Sequence, residues 1–177
     1  MQFVALLRGI NVGGKTRVEM DRLRSVCESI GLEVVRTYIN SGNVVFTYNG
    51  DTSSLATTIE HAIEKEFGFP VGVLVRTRDE LQMTVKAIDK DWRNDKEMKC
   101  DVLFLWEGLT PATLIEQLKP KDGIDEVRTA PGAVIWKVNR EHASRNGLLR
   151  IMGTPAYKQV TVRNCNTTRK LLEMMEP

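Results

Sequence analysis

VVRTYINSGNVVFTY, residues 34–48, decides the fold. VVRTYI (34–39) and VVFTY (44–48) are rich in β-branched and aromatic residues, and NSGN (40–43) between them has the composition of a tight turn. A strand that turns straight back on itself makes an antiparallel hairpin. The surrounding sheet is therefore expected to be antiparallel.

Reading outward, FVALLR (3–8) is a strand. Thr16 and Glu19 form a T-x-x-E capping box ahead of a helix with Met20, Leu23, Cys27 and Ile30 on one face and Gly31 at its end. Past the hairpin, Asp51 or Thr52 caps a helix with Leu55, Ile59, Ile63 and Phe67 at i, i+4, i+8 and i+12. Gly68 and Pro70 stop it, and VGVLVR (71–76) is a fourth strand. The order is βαββαβ. A second T-x-x-E, Thr77 to Glu80, starts a further helix.

IDKDWRNDKEMK (88–99) is polar and charged and reads as a linker, after which the order returns. DVLFLW (101–106) is a strand. Thr110 and Pro111 open a helix. DEVRT (125–129) and AVIWKV (133–138) flank a turn at Pro131 and Gly132. A short helix is expected around Gly147–Met152, then the strand QVTVR (159–163) and a last helix, NCNTTRKLLEMM (164–175). The halves echo each other in letters. VVRTYINSGNVVFTYN parallels EVRTAPGAVIWKVN, VLVRTRDELQMTVK parallels VTVRNCNTTRKLLE, and FVALLRGINV parallels DVLFLWEGLT. Three matches in one order point to an internal duplication. The fold expected is α+β: two tandem ferredoxin-like (α-β plait, βαββαβ) subdomains with antiparallel sheets in order 4-1-3-2, each followed by an extra helix. The subdomains are read as 1–88 and 101–177, with 89–100 as the charged linker.

In such a plait strands 1 and 2 run parallel, so the loop after strand 1 and the turn after strand 2 lie at one end. RGINVGGK (8–15) should therefore sit beside NSGN. RGINVGGKT contains G-x-x-x-x-G-K-T, the pattern of a nucleotide-binding P-loop. That motif works in a parallel sheet with a metal-holding Asp at the end of a second strand. Here the sheet is antiparallel and no apolar strand ends cleanly in Asp. The NTPase reading is therefore set behind a simpler one, a non-catalytic anion site for a phosphate-bearing small molecule. Its candidate residues are Arg8, Asn11, Gly13, Gly14, Lys15, Asn40, Ser41 and Asn43. The competing view is that the glycines only make a turn and the asparagines hold the loop.

The 177 residues are 42% hydrophobic and 27% charged, the balance of an ordinary globular protein. No apolar run is long enough to span a membrane or act as a secretory signal, and the three widely spaced cysteines suit a reducing cytoplasm rather than a disulfide framework or zinc site. Residues 137–177 carry eight basic and three acidic side chains, which opens a second function, nucleic-acid binding through this basic third. Within it Arg163, Asn164, Asn166, Thr167 and Lys170, with Arg169, form a second anion-site candidate, or simply a helix cap. The aromatics Phe3, Phe46 and Tyr48 could stack bases as in RNA-recognition domains, or Phe46 and Trp136 could be buried between sheets. His61 and His142 lack partners at motif spacing, so no triad, metal site or cofactor is expected. Cys27 reads as core.

RGINVGG (8–14), the M-x-x-L of Met20 and Leu23, VRTYINSGNVVF (35–46) and TVRNCNTTRKL (161–171) together resemble a bacterial uncharacterised family, domain of unknown function 1697. The resemblance implies two ferredoxin-like subdomains and no established activity, cofactor or substrate. In that family the positions after RGINVGG vary, which makes Lys15 and Thr16 a local completion of the P-loop letters. The Trp often found in the late motif is Cys165 here.

Overall fold

The computed structural model describes residues 1–14 and 16–175. The chain divides into two compact units. The first is residues 1–79 together with the chain's end from 171 on, and the second is Glu80–Lys170.

In the first unit, β1 (Gln2–Leu7), β2 (Glu33–Tyr38), β3 (Asn43–Thr47) and β4 (Val73–Thr77) form a sheet in the order β2-β3-β1-β4, and every neighbouring pair is antiparallel. Helices α1 (Met20–Ser29) and α2 (Leu55–Phe67) pack on it, and the loop residues Ile10, Val18, Leu32 and Val71 complete the core. Alternate residues of β1 and β3, Phe3, Ala5, Leu7, Val44 and Phe46, meet Leu23, Val26 and Cys27 of α1 and Ile59 and Ile63 of α2. The period of two along the strands and of three to four along the helices puts all of these on facing surfaces. Phe3 lies opposite Phe46 in the register, and their rings stack with centroids 5.7 Å apart.

The expected helix starts need correction. Thr16 does not cap α1. Its hydroxyl donates to the Gly9 carbonyl at 2.7 Å, and the helix begins at Met20 with Glu19 in the N-cap position, making no side-chain cap bond. Nor does Asp51 cap α2. Its carboxylate accepts from the Ser53 N–H and hydroxyl, a closed local turn, and the helix starts at Leu55. Both departures have one cause: the polar side chain found a nearer backbone partner than the helix end. Gly68 does end α2, in the left-handed conformation.

The second unit repeats the sheet. β5 (Met98–Leu105), β6 (Asp125–Ala130), β7 (Ala133–Asn139) and β8 (Val160–Asn164) lie in the order β6-β7-β5-β8, again antiparallel. α4 (Pro111–Leu118) starts as its sequence dictates, with Thr110 Oγ1 accepting from the Thr113 N–H at 3.2 Å and Pro111 in the first turn. Three 3-10 segments, 140–142, 147–153 and 155–159, stand where the first unit has α2. The second of them is anchored at its head by Asp125, whose carboxylate accepts from the Lys121 and Gly147 N–H groups, both at 2.8 Å, and from the Trp136 indole at 2.9 Å. Trp136 packs with Leu103, Leu114, Leu118, Val134 and Ile151. Phe46 and Trp136 each belong to the core of their own unit. The helix α3 (Arg78–Lys86) follows β4, and α5 (Cys165–Met174) follows β8.

The charged segment expected as a linker is more structured than its letters suggest. Met98, Lys99 and Cys100 already belong to β5, and Trp92 is buried, with the Arg128 guanidinium 4.9 Å from its ring centroid. Charge along a segment does not prevent burial when one indole anchors it.

Candidate functional site

The loop after β1 is held by its own side chains. The Leu7 N–H donates to the Gly42 carbonyl and the Arg8 N–H to the Gly72 carbonyl, both at 2.8 Å, so the loop leaves the sheet anchored on both sides. Asn11 then works as a clasp. Its Nδ2 donates to the Asn40 carbonyl at 2.7 Å and to the Val18 carbonyl at 3.0 Å, while its Oδ1 accepts from the Val18 N–H at 2.9 Å. Asn11 sits at φ 55°, a conformation that asparagine tolerates better than most residues. The Asn11 N–H donates to the Thr16 carbonyl at 2.8 Å.

The turn is built the same way. Asn43 is fully buried, and its Nδ2 donates to the Tyr38 carbonyl at 2.9 Å and to the Ser41 hydroxyl at 3.1 Å. Gly42 has φ 77°, and a Cβ there would stand 2.6 Å from Ile10 Cδ1 and 2.7 Å from Leu7 Cβ. Only glycine fits this seat. The preceding Ile39 holds φ 49° with its side chain exposed, a strained state for a β-branched residue.

Loop and turn therefore meet. Around the junction lies a pocket of about 740 Å³ lined by Asn11, Gly14, Arg17, Val18, Glu19, Met20, Asp21 and Asn40. Gly13 and Gly14 are exposed at φ 63° and 74°, and open space lies where their Cβ atoms would be. Of the residues singled out by sequence, Asn11, Gly14 and Asn40 line the pocket. Ser41 and Asn43 serve the turn, Arg8 is half-buried at the loop's start, and Lys15 lies outside the described residues. Arg17 was not among them. It is exposed and 3.7 Å from Glu19.

This geometry is not that of a P-loop. The strand before the loop has antiparallel neighbours on both sides. The helix does not follow the G-K-T directly but begins at Met20, and its first turn carries Asp21 behind Glu19. Those carboxylates oppose an anion at the helix end. The Thr16 hydroxyl, which would hold magnesium, is bonded to Gly9.

The clasp makes a prediction. Asn11→Ala should lower stability by about 1–2 kcal/mol, the net worth of its side-chain bonds at a partly exposed site. Amide exchange at Val18, whose N–H loses its acceptor, should accelerate. An unchanged urea midpoint and unchanged Val18 protection would show that the clasp is not formed.

The late cluster is occupied internally. Asn164 accepts from the Thr167 N–H at 2.8 Å and so caps α5. Arg163 is buried and donates to the Thr161 hydroxyl and the Val162 carbonyl, and loss of hydration lowers its pKa to about 10. Asn166 and Asn94 exchange bonds, with Asn166 Nδ2 donating to the Asn94 carbonyl at 2.8 Å, while Lys170 is exposed. The wider basic third behaves alike. Arg140 donates to the Asp95 carbonyl, Arg150 to the Leu118 and Lys119 carbonyls, Arg169 to the Trp92 and Asp89 carbonyls, and Lys137 pairs with Glu126.

The aromatics proposed for base stacking are also engaged. Phe3 and Phe46 are buried in the first unit's core, and Tyr48 packs against it. Burial pushes the Cys27 thiol up to about 12, in keeping with a core residue. Among the described residues no three His, Cys, Asp or Glu side chains gather as a metal-ligand group, and no helix is long and apolar enough to cross a membrane.

Two four-stranded antiparallel sheets with helices, opened by RGINVGG and the 34–48 hairpin, define an α+β protein of an uncharacterised class. The chain belongs to the family described as Protein of unknown function (DUF1697), whose model matches residues 1–136. The late motif at 161–171 lies beyond the matched span. The chain is similar to a solved structure, that of the conserved bacterial protein SP0830 from Streptococcus pneumoniae. Identity is 27%, the TM-score is 0.84, and the match covers 99% of this chain and 98% of that one. No curated protein matches the chain.

Proposed function

We propose that the protein binds a phosphate-bearing small molecule, without chemical turnover, where residues 8–18 meet 39–43. The observation that carries this reading is the Asn11–Asn40 clasp. It holds the exposed backbone of Gly13 and Gly14 beside a pocket that Arg17 also lines. A rigid loop that presents glycine backbone to open space suits close approach by an anion's oxygens. The acidic start of α1 puts the anion on the glycine side, near Arg8 and Arg17. The two units are read as ferredoxin-like plaits arising from one duplicated βαββαβ element, a reading supported by the matching order of their sheets. In this reading the protein works in the cytoplasm.

Calorimetric titration with pyrophosphate and with ATP, each without magnesium, tests the site. Arg8→Ala and Lys15→Ala should each weaken binding about tenfold or more, the worth of a charge-assisted hydrogen bond. Binding that both variants leave unchanged would refute the assignment. So would an affinity that belongs to oligonucleotides alone and falls steeply with salt, which would transfer the function to nucleic acid.

A further inference from the structure

The β5–α5 junction holds a dithiol that the proposed ligand site does not use. Asp101 pairs with Asn164 in the antiparallel ladder of β5 and β8, so one position further Cys100 faces Cys165 across the same two segments. Both thiols are free and buried, and each perturbs the ionisation of the other. Cys165 is the first residue of α5, and Arg169 Nη1 stands 3.8 Å from its Sγ. A helix N-terminus and a guanidinium both favour a thiolate. We propose that Cys100 and Cys165 form a reversible disulfide when the protein meets hydrogen peroxide, making this junction an oxidation-sensitive modification site.

The roles of the two sulfurs are distinct. The neighbouring Cys100 thiol, against the opposing cost of burial, and then Arg169 hold Cys165 below the ordinary thiol value, whereas the neighbouring Cys165 sulfur and burial push Cys100 above it. Cys165 is the attacking thiolate. Its sulfur takes one oxygen of the peroxide, the O–O bond breaks, and the departing hydroxide is protonated to water, leaving a sulfenic acid. Cys100 then gives up its proton and attacks the Cys165 sulfur, the S–O bond breaks, and a second water leaves. The two sulfurs together lose two electrons and the peroxide gains them.

Both thiols are buried; Cys165 Sγ lies 3.5 Å from Oδ1 of exposed Asn166 and 3.8 Å from the Trp92 carbonyl, and the Asn94–Asn166 bonds tie the largely exposed segment 93–97 to the start of α5. Opening that pair admits a molecule little larger than water. Cys27, whose thiol burial pushes up to about 12, has no thiol partner and serves as the internal control.

The test is to treat the folded full chain with hydrogen peroxide, quench it in denaturant with iodoacetamide, and weigh and map it. The expected result is loss of two of the three alkylation sites, a crosslink between the Cys100 and Cys165 peptides, and recovery of all three sites after dithiothreitol. In Cys100→Ser, dimedone should label Cys165 at least about tenfold faster than Cys27. Arg169→Gln should slow that labelling while Arg169→Lys largely restores it. Three alkylated cysteines after peroxide, a crosslink that includes Cys27, or dimedone labelling of Cys27 as fast as Cys165 would each overturn the proposal. Should Cys100→Ser fail to fold, the wild-type crosslink map decides alone.

Discussion

Gly42→Ala is expected to destabilise the protein by about 2–5 kcal/mol, the sum of a left-handed backbone forced on alanine and an overpacked contact. The backbone there is at φ 77°, and the added Cβ would meet Ile10 Cδ1 and Leu7 Cβ at 2.6 and 2.7 Å. The Leu7 contact is with a Cβ fixed to the sheet, so it cannot rotate away. Gly13→Ala is the control. Gly13 shares the positive φ but faces open space, so its cost should be only about 1–2 kcal/mol. Urea unfolding of the two variants separates strain from clash. Equal midpoints would mean that the turn is not seated on Leu7 and Ile10. In the functional reading the two glycines also differ in kind, since Gly42 builds the site and Gly13 presents it. Gly13→Ala should thus lose more ligand affinity than stability.

Trp136→Ala should cost about 3–5 kcal/mol, the range for emptying a large aromatic position in a packed core. Trp136 is among the largest fully buried side chains, and its indole donates to Asp125 at 2.9 Å. That bond joins β7 to the start of β6 and, through the same carboxylate, to Gly147 at the head of a 3-10 segment. Trp136→Phe keeps much of the apolar volume while removing the donor and part of the ring. It should cost about 1–3 kcal/mol, less than the full truncation, with Asp125 still held by the Lys121 and Gly147 N–H groups. Denaturant midpoints for the pair check this. If Trp136→Phe matched Trp136→Ala, the indole bond would carry the whole effect and the packing account would fail. A neutral Trp136→Ala would place the ring outside the core.

The strands and most helices were legible because their signals are local. The 34–48 hairpin shows a run of β-branched residues, a turn and another run, and α4 announces itself with Thr110 and Pro111. What the letters could not give was which partner a polar side chain would choose. Thr16 and Asp51 both look like caps, and both bond elsewhere because a closer carbonyl or N–H is brought in by folding. Strand alternation puts Phe46 and Tyr48 on one face, but alternation does not say which face the helices cover. The charged stretch 88–99 hid the burial of Trp92 for a similar reason, since a segment's average polarity says nothing about one anchoring ring.

At the candidate site, the convergence of loop and turn followed from the expected topology. The clasp between Asn11 and Asn40 did not, because it depends on a left-handed asparagine that composition does not reveal. Arg17 and the acidic pair Glu19 and Asp21 were invisible as pocket residues while the helix was thought to start earlier. The Cys100–Cys165 pair required the β5–β8 register, since the two cysteines are far apart in sequence.

The most direct test of the binding account is an amide-resolved NMR titration of the full chain with pyrophosphate and ATP. The account predicts saturable shifts confined to residues 8–18 and 39–43, largest at Gly13 and Gly14, and little change around 163–170. Shifts centred on 163–170, or none at Gly13 and Gly14 at millimolar ligand, would contradict it.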